Sequence, residues 1–405
     1  MKKTIITLLC VLVLTGCNIV VKSDSEIKES NNKVSADAYI TINKEIEVFK
    51  KTKLIDVIDT NVQGINENLL LDTSTIGENT MIVDCLYNNV KGKYELKYTV
   101  VDKTMPIYLS ASSNIYLTLN SDKDPCDSIN IADNYSKEPV CSIEGEYNTS
   151  KLGTYNVKYV ISDESNNINK RNLTINVVKT IPSSPPSQPS TPTSTQFSWV
   201  MNKFKNDNTE IGLDVSRWQG DIDFEKVKAA GATFVMMRMG VSNKPEEALA
   251  VDSKFRQNIS RAKAAGLKVG VYIYTAAIND EMAKTLADFA VQTLDGETLD
   301  FPIVFDFENW SKFRSYKISI HDLNQTFVTF ANELKKNNLD AMLYGSKHYL
   351  EIMWEDELKD NYPVWLAHYT NNQSSYAGKY MMWQMCSDGR IDGIDGAVDI
   401  DILYK

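Results

Sequence analysis

The sequence predicts a multidomain protein in which two small all-β sandwiches precede an α/β domain that folds as an irregular (β/α) TIM-like barrel. Three observations predict this order. Alternating apolar and polar residues fill the first half of the chain, a proline-, serine- and threonine-rich segment follows, and strand and helix patterns then alternate to the end. At 405 residues the chain exceeds one ordinary hydrophobic core. The predicted segments are residues 1–16, 17–38, 39–104, 105–179, 180–197 and 198–405.

The first 16 residues have the pattern of an export signal. Lys2 and Lys3 precede an apolar run, Ile5 to Leu14, which is too short to span a bilayer. The run ends Leu14-Thr15-Gly16-Cys17, which resembles the lipobox of bacterial lipoproteins. This resemblance implies cleavage before Cys17 and a diacylglycerol on its thiol, and two acyl chains anchor a protein stably. We therefore expect an extracytoplasmic, lipid-anchored protein with a polar stalk over residues 17–38. The alternative is an ordinary signal peptide that contains a cysteine.

The predicted β-region contains an internal repeat. Residues 92–102 align with residues 153–163 at five identical positions, and both stretches end in aspartate, Asp102 and Asp163. The pattern resembles the small immunoglobulin-like domains of bacterial cell-surface proteins, and the second repeat matches it better. The resemblance implies either a spacer or a wall-binding module. No aromatic or basic stripe stands out in the sequence, which favours the spacer.

The cysteines suggest one disulfide. Export permits disulfides, and Cys126 and Cys141 lie in the same predicted β-domain, so they are the best candidate pair, with free thiols as the alternative. Cys386 stands in an apolar, strand-like stretch and is predicted to be a buried free thiol.

The region after the proline-rich segment alternates strands and helices, which implies a parallel sheet. Asp223 has the position of a helix N-cap, and Gly231 has the position of the helix stop. The predicted strands are residues 211–215, 233–239, 268–274, 302–307, 341–344, 363–369, 380–385 and 398–404. About eight strands imply a closed barrel. Because the last strands lack clear helices between them, we expect the barrel to be irregular at its C-terminal end.

Acidic residues recur near the ends of these strands. Asp214 ends the first strand, Asp306 and Glu308 end the fourth, and Asp399 and Asp401 lie on the last. Active sites of such barrels lie at the carboxyl ends of the strands, so we expect these side chains to converge at one mouth. Repulsion and desolvation then raise the pKa of at least one carboxyl group. A carboxylic acid that stays protonated near neutral pH is suited to glycoside hydrolysis.

Composition argues against other kinds of chemistry. The net charge is −10 without a cluster of lysine or arginine, so nucleic acid is not an expected partner. Clustered carboxylates can also bind metal ions. The three histidines, His321, His348 and His368, have no ligand-like spacing, and we predict neither a metal nor a cofactor. Composition leaves the oligomeric state open.

Aromatic residues follow or end the same strands. They are Trp218, Tyr272, Tyr274, Trp310, Tyr344, Trp365, Tyr369 and Trp383. Any one of them could equally belong to the core, but sugar rings stack on aromatic faces, and as a group these residues favour a carbohydrate cleft.

The whole C-terminal region resembles glycoside hydrolase family 25, the muramidases of the phage and bacterial lysozyme type. The matching motifs, in the family's order, are GLDVS at 212–216 with QG at 219–220, FVMMR at 234–238, DFE at 306–308, WLAHY at 365–369, WQ at 383–384 and VDID at 398–401. The resemblance implies cleavage of the β-1,4 bond from N-acetylmuramic acid to N-acetylglucosamine in the glycan strands of peptidoglycan.

By this resemblance Glu308 is the general acid, Asp306 orients or polarises the substrate's N-acetyl group, and Asp214 and Asp399 are flanking carboxylates. The second catalytic group stays open between a protein carboxylate and the substrate's own acetamide. The residues implied in substrate binding are Gln219, Arg238, Tyr272, Tyr274, Tyr344, Trp365, Tyr369, Trp383, Gln384 and Asp401.

Two departures from the family pattern bear on substrate preference. The stretch Tyr272-Ile273-Tyr274 lacks the histidine that the family often has between the aromatics, and Asp401 stands where asparagine is common. Two other interpretations compete with this one. A chitinase-like barrel is suggested by Asp392-Gly393-Ile394-Asp395, but no glutamate follows at the required spacing. The second is a non-catalytic glycan-binding protein or adhesin with a degenerate barrel.

Overall fold

The computed structural model describes residues 28–182 and 194–405. The predicted signal peptide, Cys17, the first part of the stalk and most of the proline-rich segment lie outside these residues. The chain divides after Val101 into two compact units, which are described separately below. Among the described residues, no helix is both long enough and apolar enough to cross a membrane.

The first unit is built from β-strands around a small apolar core. Its strands are β1 Lys28–Lys33, β2 Ile40–Ile42, β3 Ile46–Glu47, β4 Ile58–Thr60, β5 Gly77–Tyr87 and β6 Val90–Val101. β6 pairs in parallel with β1 and β3 and antiparallel with β5, while β2 pairs with β4. The β5–β6 hairpin turns at Asn88 and Asn89, whose φ angles of 48° and 62° are left-handed and suit asparagine. Alternation along β6 buries Leu96, Tyr98 and Val100.

The second unit begins with another β-domain. Its strands are β7 Ile107–Ser110, β8 Asn114–Thr118, β9 Asn130–Ala132, β10 Val140–Glu144, β11 Gly153–Ser162 and β12 Ile168–Val178. One sheet has the order β10-β11-β12-β8, and β7 pairs with β9. Tyr159 and Ile161 on β11 and Leu173 and Ile175 on β12 are buried in the core of this domain.

The cysteines behave as the sequence predicts. Cys126 and Cys141 form a disulfide with their Cα atoms 5.9 Å apart, and this bond joins the segment before β9 to β10. Cys386 is a buried free thiol, as is Cys85 in the first unit. Burial raises the pKa of the Cys386 thiol to about 12, so it stays protonated and unreactive.

The rest of the second unit is the C-terminal barrel domain. Its strands are β13 Thr209–Val215, β14 Phe234–Val241, β15 Ala250–Val251, β16 Lys268–Tyr274, β17 Ile303–Asp306, β18 Ala341–Ser346, β19 Val364–Ala367, β20 Met382–Gly389 and β21 Val398–Tyr404. Its helices are α1 Phe197–Phe204, α2 Phe224–Ala229, α3 Phe255–Ala264, α4 Asp280–Leu294, α5 Phe313–Tyr316, α6 Ile320–Lys336, α7 Lys347–Ile352 and α8 Asp356–Asn361. As predicted, the Asp223 side chain accepts a hydrogen bond from the Lys226 amide and caps α2, and Gly231 follows with a φ of 107°.

Eight strands close into a barrel, which confirms the predicted closure. The ring runs β13-β21-β20-β19-β18-β17-β16-β14 and back to β13, with β15 added beside β14. β21 is antiparallel to both of its neighbours, and the other seven strands are parallel. The connection between β20 and β21 is short and contains no helix, so it can form only a hairpin. The start of β21, not its end, therefore lies beside the carboxyl ends of the other strands.

One glycine lets the first two barrel strands approach closely. A Cβ atom at Gly212 would lie 2.5 Å from the carbonyl oxygen of Phe234 on β14. Phe234 is fully buried inside the barrel with Met236, Val304 and Met342. A larger side chain at position 212 would therefore push β13, which carries Asp214, away from β14.

The second β-domain packs against the barrel within the same compact unit. Leu109 and Ala132 are buried in one apolar cluster with the barrel residues Trp310 and Phe313. Polar contacts surround this cluster. The Ile320 amide donates to the Asp133 carbonyl at 2.7 Å, and ion pairs join Lys137 to Asp322 at 3.0 Å and Lys317 to Glu138 at 2.8 Å. The start of α6 is therefore held by the loop that follows β9.

Candidate active site

The carboxyl ends of the parallel strands and the start of β21 enclose a cavity of about 270 Å³. Its lining residues are Asp214, Ser216, Trp218, Gln219, Arg238, Tyr272, Tyr274, Asp306, Glu308, Tyr344, Trp365, Tyr369, Gln384 and Asp399. The four predicted catalytic carboxylates are all there, as are the predicted substrate-binding residues except Trp383 and Asp401. A larger cavity of about 740 Å³ lies by Pro302 and Pro363, before β17 and β19, so the buried carboxylates Asp214 and Asp306, and not size, distinguish the smaller cavity.

Two carboxylates on adjacent strands form one wall of this cavity. Asp214 on β13 is the register partner of Asp399 on β21, and the two side chains hydrogen-bond to each other. Gln384 Nε2 also donates to Asp214 Oδ2 at 2.7 Å, and Gln384 Oε1 accepts from the hydroxyls of Tyr344 and Tyr369, both at 3.0 Å. These bonds fix the orientation of the amide, which in turn holds Asp214.

Burial dominates the electrostatics of this wall. Desolvation raises the pKa of Asp214 well above its usual value, and the neighbouring Asp399 and Asp401 raise it further. Desolvation also raises the pKa of Asp399, to about 6, although the hydrogen bond from Asp214 opposes this change. Asp214 is therefore the protonated donor of the pair, and Asp399 is the acceptor and the partner that ionises first.

Asp306 and Glu308 form the opposite wall. Asp306 ends β17, Glu308 lies two residues further, and Phe307 between them is buried in the core. Desolvation within the cavity raises the pKa of both carboxyl groups, although Glu308 remains accessible to solvent. The charge of Glu308 raises the pKa of Asp306 further, whereas the guanidinium of Arg238 lowers it. The pair therefore holds its last proton tightly. Glu308 is solvent-exposed and Asp306 is buried, so Glu308 is the group that can hand a proton to a ligand in the cavity.

Arg238 is held in place by a residue that sequence reasoning missed. Asp252 Oδ2 accepts from Arg238 Nε at 2.8 Å and lies 2.6 Å from its terminal nitrogen, and it also accepts from the Arg217 amide at 3.2 Å. Asp252 is buried. It follows the two-residue strand β15, which has no recognisable pattern, so no sequence signal could have identified it.

The aromatic residues divide into a rim and a wall. Trp218 is 72% exposed and Tyr369 is 57% exposed, and the guanidinium of Arg217 lies over one face of the Trp218 ring, 4.7 Å from its centroid. Tyr272 and Tyr344 pack edge-on against Trp365, with ring centroids 5.9 and 4.9 Å away, and shape the interior. Rings of the first kind can stack on a sugar, whereas those of the second kind set the width of the cavity.

Two predicted substrate-binding residues lie behind the cavity wall, which corrects their assignment. Trp383 is fully buried, packs against Phe204 of α1 and donates to the His368 carbonyl at 2.8 Å, because alternation along β20 turns it away from Gln384. Asp401 is fully buried and accepts from Trp365 Nε1 at 2.8 Å. Trp310, which belongs to the aromatic group named above, is likewise buried in the core.

Ser216 is a second lining residue that the sequence prediction omitted, although it ends the matched GLDVS motif. Its backbone amide donates to Gln219 Oε1 at 2.9 Å, and its hydroxyl accepts from the Trp218 amide. Gln219 Nε2 then donates to the Ala397 carbonyl just before β21. This short turn places Trp218 at the rim.

The site can supply acid catalysis without a metal ligand set of its own. Among the described residues, one group of acidic side chains lies close enough together to share an ion, and it is outside the cavity, at Asp102, Asp133 and Asp163. Inside the cavity, one exposed carboxyl with a raised pKa faces buried carboxylates across a narrow cleft. Such a pair can protonate a leaving oxygen and stabilise the positive charge that develops as the bond breaks.

Comparison with known proteins shows a similarity between the residues around this site and one family of enzymes. Residues 213–394 match the model of Glycosyl hydrolases family 25. The autolytic lysozyme of Clostridium acetobutylicum is 29% identical over 190 residues, which cover 47% of this chain and 54% of that protein. Lysozyme M1 of Streptomyces globisporus is 27% identical over 201 residues, covering 46% and 65%. The chain thus spans about half to two thirds of the length of these relatives.

A solved structure of a family 25 glycosyl hydrolase from Bacillus anthracis aligns with 50% of this chain and 91% of its own, with a TM-score of 0.43 and 19% identity. The matched residues include Asp214, Asp306 and Glu308. Residues 213–394 of this chain are thus similar in sequence to the glycosyl hydrolases of family 25.

Proposed function

We propose that the chain is a peptidoglycan hydrolase, an N-acetylmuramidase of the lysozyme type that cleaves the β-1,4 bond between N-acetylmuramic acid and N-acetylglucosamine. One observation carries the proposal: Glu308 lies exposed in the cavity with a raised pKa, beside the buried Asp306 and facing Asp214 and Asp399. The names of the relatives support the same chemistry. The barrel itself we interpret as a TIM-like variant with one reversed strand.

Digestion of purified cell walls tests the proposed bond. The chain should clear a peptidoglycan zymogram, and mass spectrometry of the reduced fragments should show new reducing ends on N-acetylmuramic acid. New reducing ends on N-acetylglucosamine would assign the enzyme to the other glycosidic bond. Binding to walls without any released fragment would favour the adhesin alternative.

We further propose that the two β-domains are immunoglobulin-like spacers on a lipid-anchored, extracytoplasmic protein that faces the cell wall. The repeat of residues 92–102 at 153–163 supports a shared domain type, and the lipobox-like Leu14-Thr15-Gly16-Cys17 supports the anchor. In this arrangement the peptidoglycan strands and, through lipidated Cys17, the membrane are the partners of the chain.

Replacing Cys17 tests the anchor. Cys17→Ala removes the thiol that would carry the lipid, so the protein should appear in the medium or remain unprocessed, as measured by cell fractionation and the mass of the N-terminus. Cys10→Ala is the matched control, because Cys10 lies within the predicted signal and its loss should leave fractionation unchanged. A processed Cys17→Ala protein that stays with the membrane would contradict the proposal.

A further inference from the structure

Three aspartates outside the catalytic cavity converge in the second β-domain. Asp102 precedes β7, Asp133 follows β9 and Asp163 follows β11. A carboxylate oxygen from each lies within 4.8 Å of the other two, and the residues are only 5%, 1% and 7% exposed. Like charges at this spacing in a buried setting repel one another unless something neutralises them.

Two of the buried oxygen atoms at this cluster have no hydrogen-bond partner. Asp133 Oδ2 accepts from the amides of Tyr135 and Ser136 at 3.0 and 2.7 Å, but the buried Oδ1 of the same group has no hydrogen-bond partner. The buried Oδ1 of Asn134 also lacks one. Neither Asp133 nor Asp163 forms an ion pair with a lysine or arginine in the described part of the chain. A buried acceptor without a partner costs about 1–3 kcal/mol, so these oxygens are suited to a ligand.

The sequence repeat explains how two of the aspartates come together. Asp102 and Asp163 close the two copies of the repeated strand, at residues 92–102 and 153–163. The first copy ends at Asp102, where the second β-domain begins, and the second copy ends at Asp163 within that domain. The carboxylates of the two residues lie together in the cluster. Asn167 links the two, because its Nδ2 donates to the Asp102 carbonyl at 3.0 Å and to Asp163 Oδ2 at 2.8 Å. The proposed catalytic function makes no use of this arrangement.

We propose that Asp102, Asp133 and Asp163 bind one Ca²⁺ ion, with Asn134 Oδ1 as a further ligand. Ca²⁺ takes oxygen ligands at about 2.3–2.6 Å, so two ligands of one ion lie at most about 4.6–5.2 Å apart. The three carboxylate oxygens, which lie within 4.8 Å of one another, meet this limit. The ligand set is entirely oxygen, which excludes soft metals as the preferred ion. Mg²⁺ usually keeps several bound water molecules, so it fits a cluster in which protein carboxylates occupy most of the space less well than Ca²⁺ does.

The site lies at the contact between the second β-domain and the barrel. The backbone carbonyls of Asp133 and Asn134 accept from the amides of Ile320 and His321 at 2.7 and 3.3 Å, at the start of α6. The same loop continues to Lys137, which pairs with Asp322. An ion that holds Asp133 therefore also holds the loop that joins the domain to the barrel.

Calorimetric titration of the whole chain with CaCl₂, after removal of metal with EDTA, tests the site directly. We expect one Ca²⁺ per chain, with a dissociation constant on the order of 10⁻⁴ M or lower. Asp133→Asn should weaken binding at least about tenfold. Asp122→Asn is the matched control, since Asp122 is exposed in the same domain and lies outside the cluster. No binding of Ca²⁺ up to about 10 mM, or unchanged binding by Asp133→Asn, would overturn the proposal.

Thermal unfolding gives a second readout. Each protein is compared with itself, with and without Ca²⁺, so the variant need not be as stable as the wild type. At the same Ca²⁺ concentration, the unfolding midpoint of the wild-type chain should rise more than that of Asp133→Asn. In EDTA, where no ion is bound, Asp133→Asn should have a higher unfolding midpoint than the wild type, because asparagine removes one of three repelling charges. A wild-type midpoint that ignores Ca²⁺ would contradict the site. Neither assay uses wall cleavage, so the outcome is independent of the proposed enzymatic function.

Discussion

Replacement of Glu308 by glutamine should lower turnover on peptidoglycan by at least about 10²–10⁴-fold while leaving the fold intact. The leaving glycosidic oxygen is weakly basic and needs a proton as the bond breaks. Glutamine has nearly the same shape as glutamate and can still form hydrogen bonds, but it has no proton of suitable acidity. Because Glu308 lies exposed in the cavity, the substitution leaves no buried group without a partner.

The measurement is the rate of release of reducing ends from purified walls, together with wall binding and the thermal unfolding midpoint. Glu225→Gln is the matched control, because Glu225 lies exposed on α2 outside the cavity, and the same substitution there should leave the rate unchanged. Near-normal turnover by Glu308→Gln would refute its assignment as the acid and the role given to the end of β17.

Asp306→Asn should also reduce turnover strongly, on the order of 10²-fold, because it removes a negative charge beside the reacting centre. Burial and the charge of Glu308 raise the pKa of Asp306, and Arg238 opposes them. The active form requires Asp306 to be ionised while Glu308 keeps the proton, and Arg238 is the charged group that favours this form. An asparagine at this position cannot carry that charge. The loss should appear mainly in kcat, since asparagine keeps the size and the hydrogen-bonding capacity of the side chain.

The pH profile distinguishes this electrostatic effect from damage to the structure. An ionised Asp306 raises the pKa of Glu308, so in Asp306→Asn the acid loses its proton at lower pH. The basic arm of the pH–rate profile should therefore move to lower pH. The acidic arm, which we assign to the Asp214–Asp399 pair, should stay in place. Asp288→Asn, exposed on α4, should shift neither arm, and an unmoved basic arm in Asp306→Asn would contradict the proposed coupling.

The strand ends that carry the site were predictable from sequence. Each acidic residue follows or belongs to an apolar run, and a parallel barrel brings the carboxyl ends of such runs together. For this reason Asp214, Asp306 and Glu308 were identified from their positions, and the structure places all three on one cavity. Asp399 lines the same cavity although it is not at the carboxyl end of a strand. Because β21 is antiparallel to its neighbours, Asp399, its second residue, lies beside their carboxyl ends.

What escaped prediction depends on contacts between segments that are distant in the chain. Trp383 follows the pattern of a cleft aromatic, but α1 supplies Phe204 on the outer face of β20, and this contact decides which way the indole points. The Arg238–Asp252 pair joins two residues with no common motif. The aspartate cluster likewise needs three loops, of which only two carry the repeated pattern.

The packing of the second β-domain on the barrel changes the role of the proline-rich segment between them. Both of its ends belong to one compact unit, and the chain that follows it is fixed by hydrogen bonds of Thr195 and Phe197 to the backbone of Arg390. The separation of its two ends is therefore fixed by the packing of the second β-domain on the barrel. A protease that cuts within residues 183–193 would leave two fragments that remain associated through Leu109, Ala132 and the start of α6. Such a nicked protein would keep its catalytic cavity.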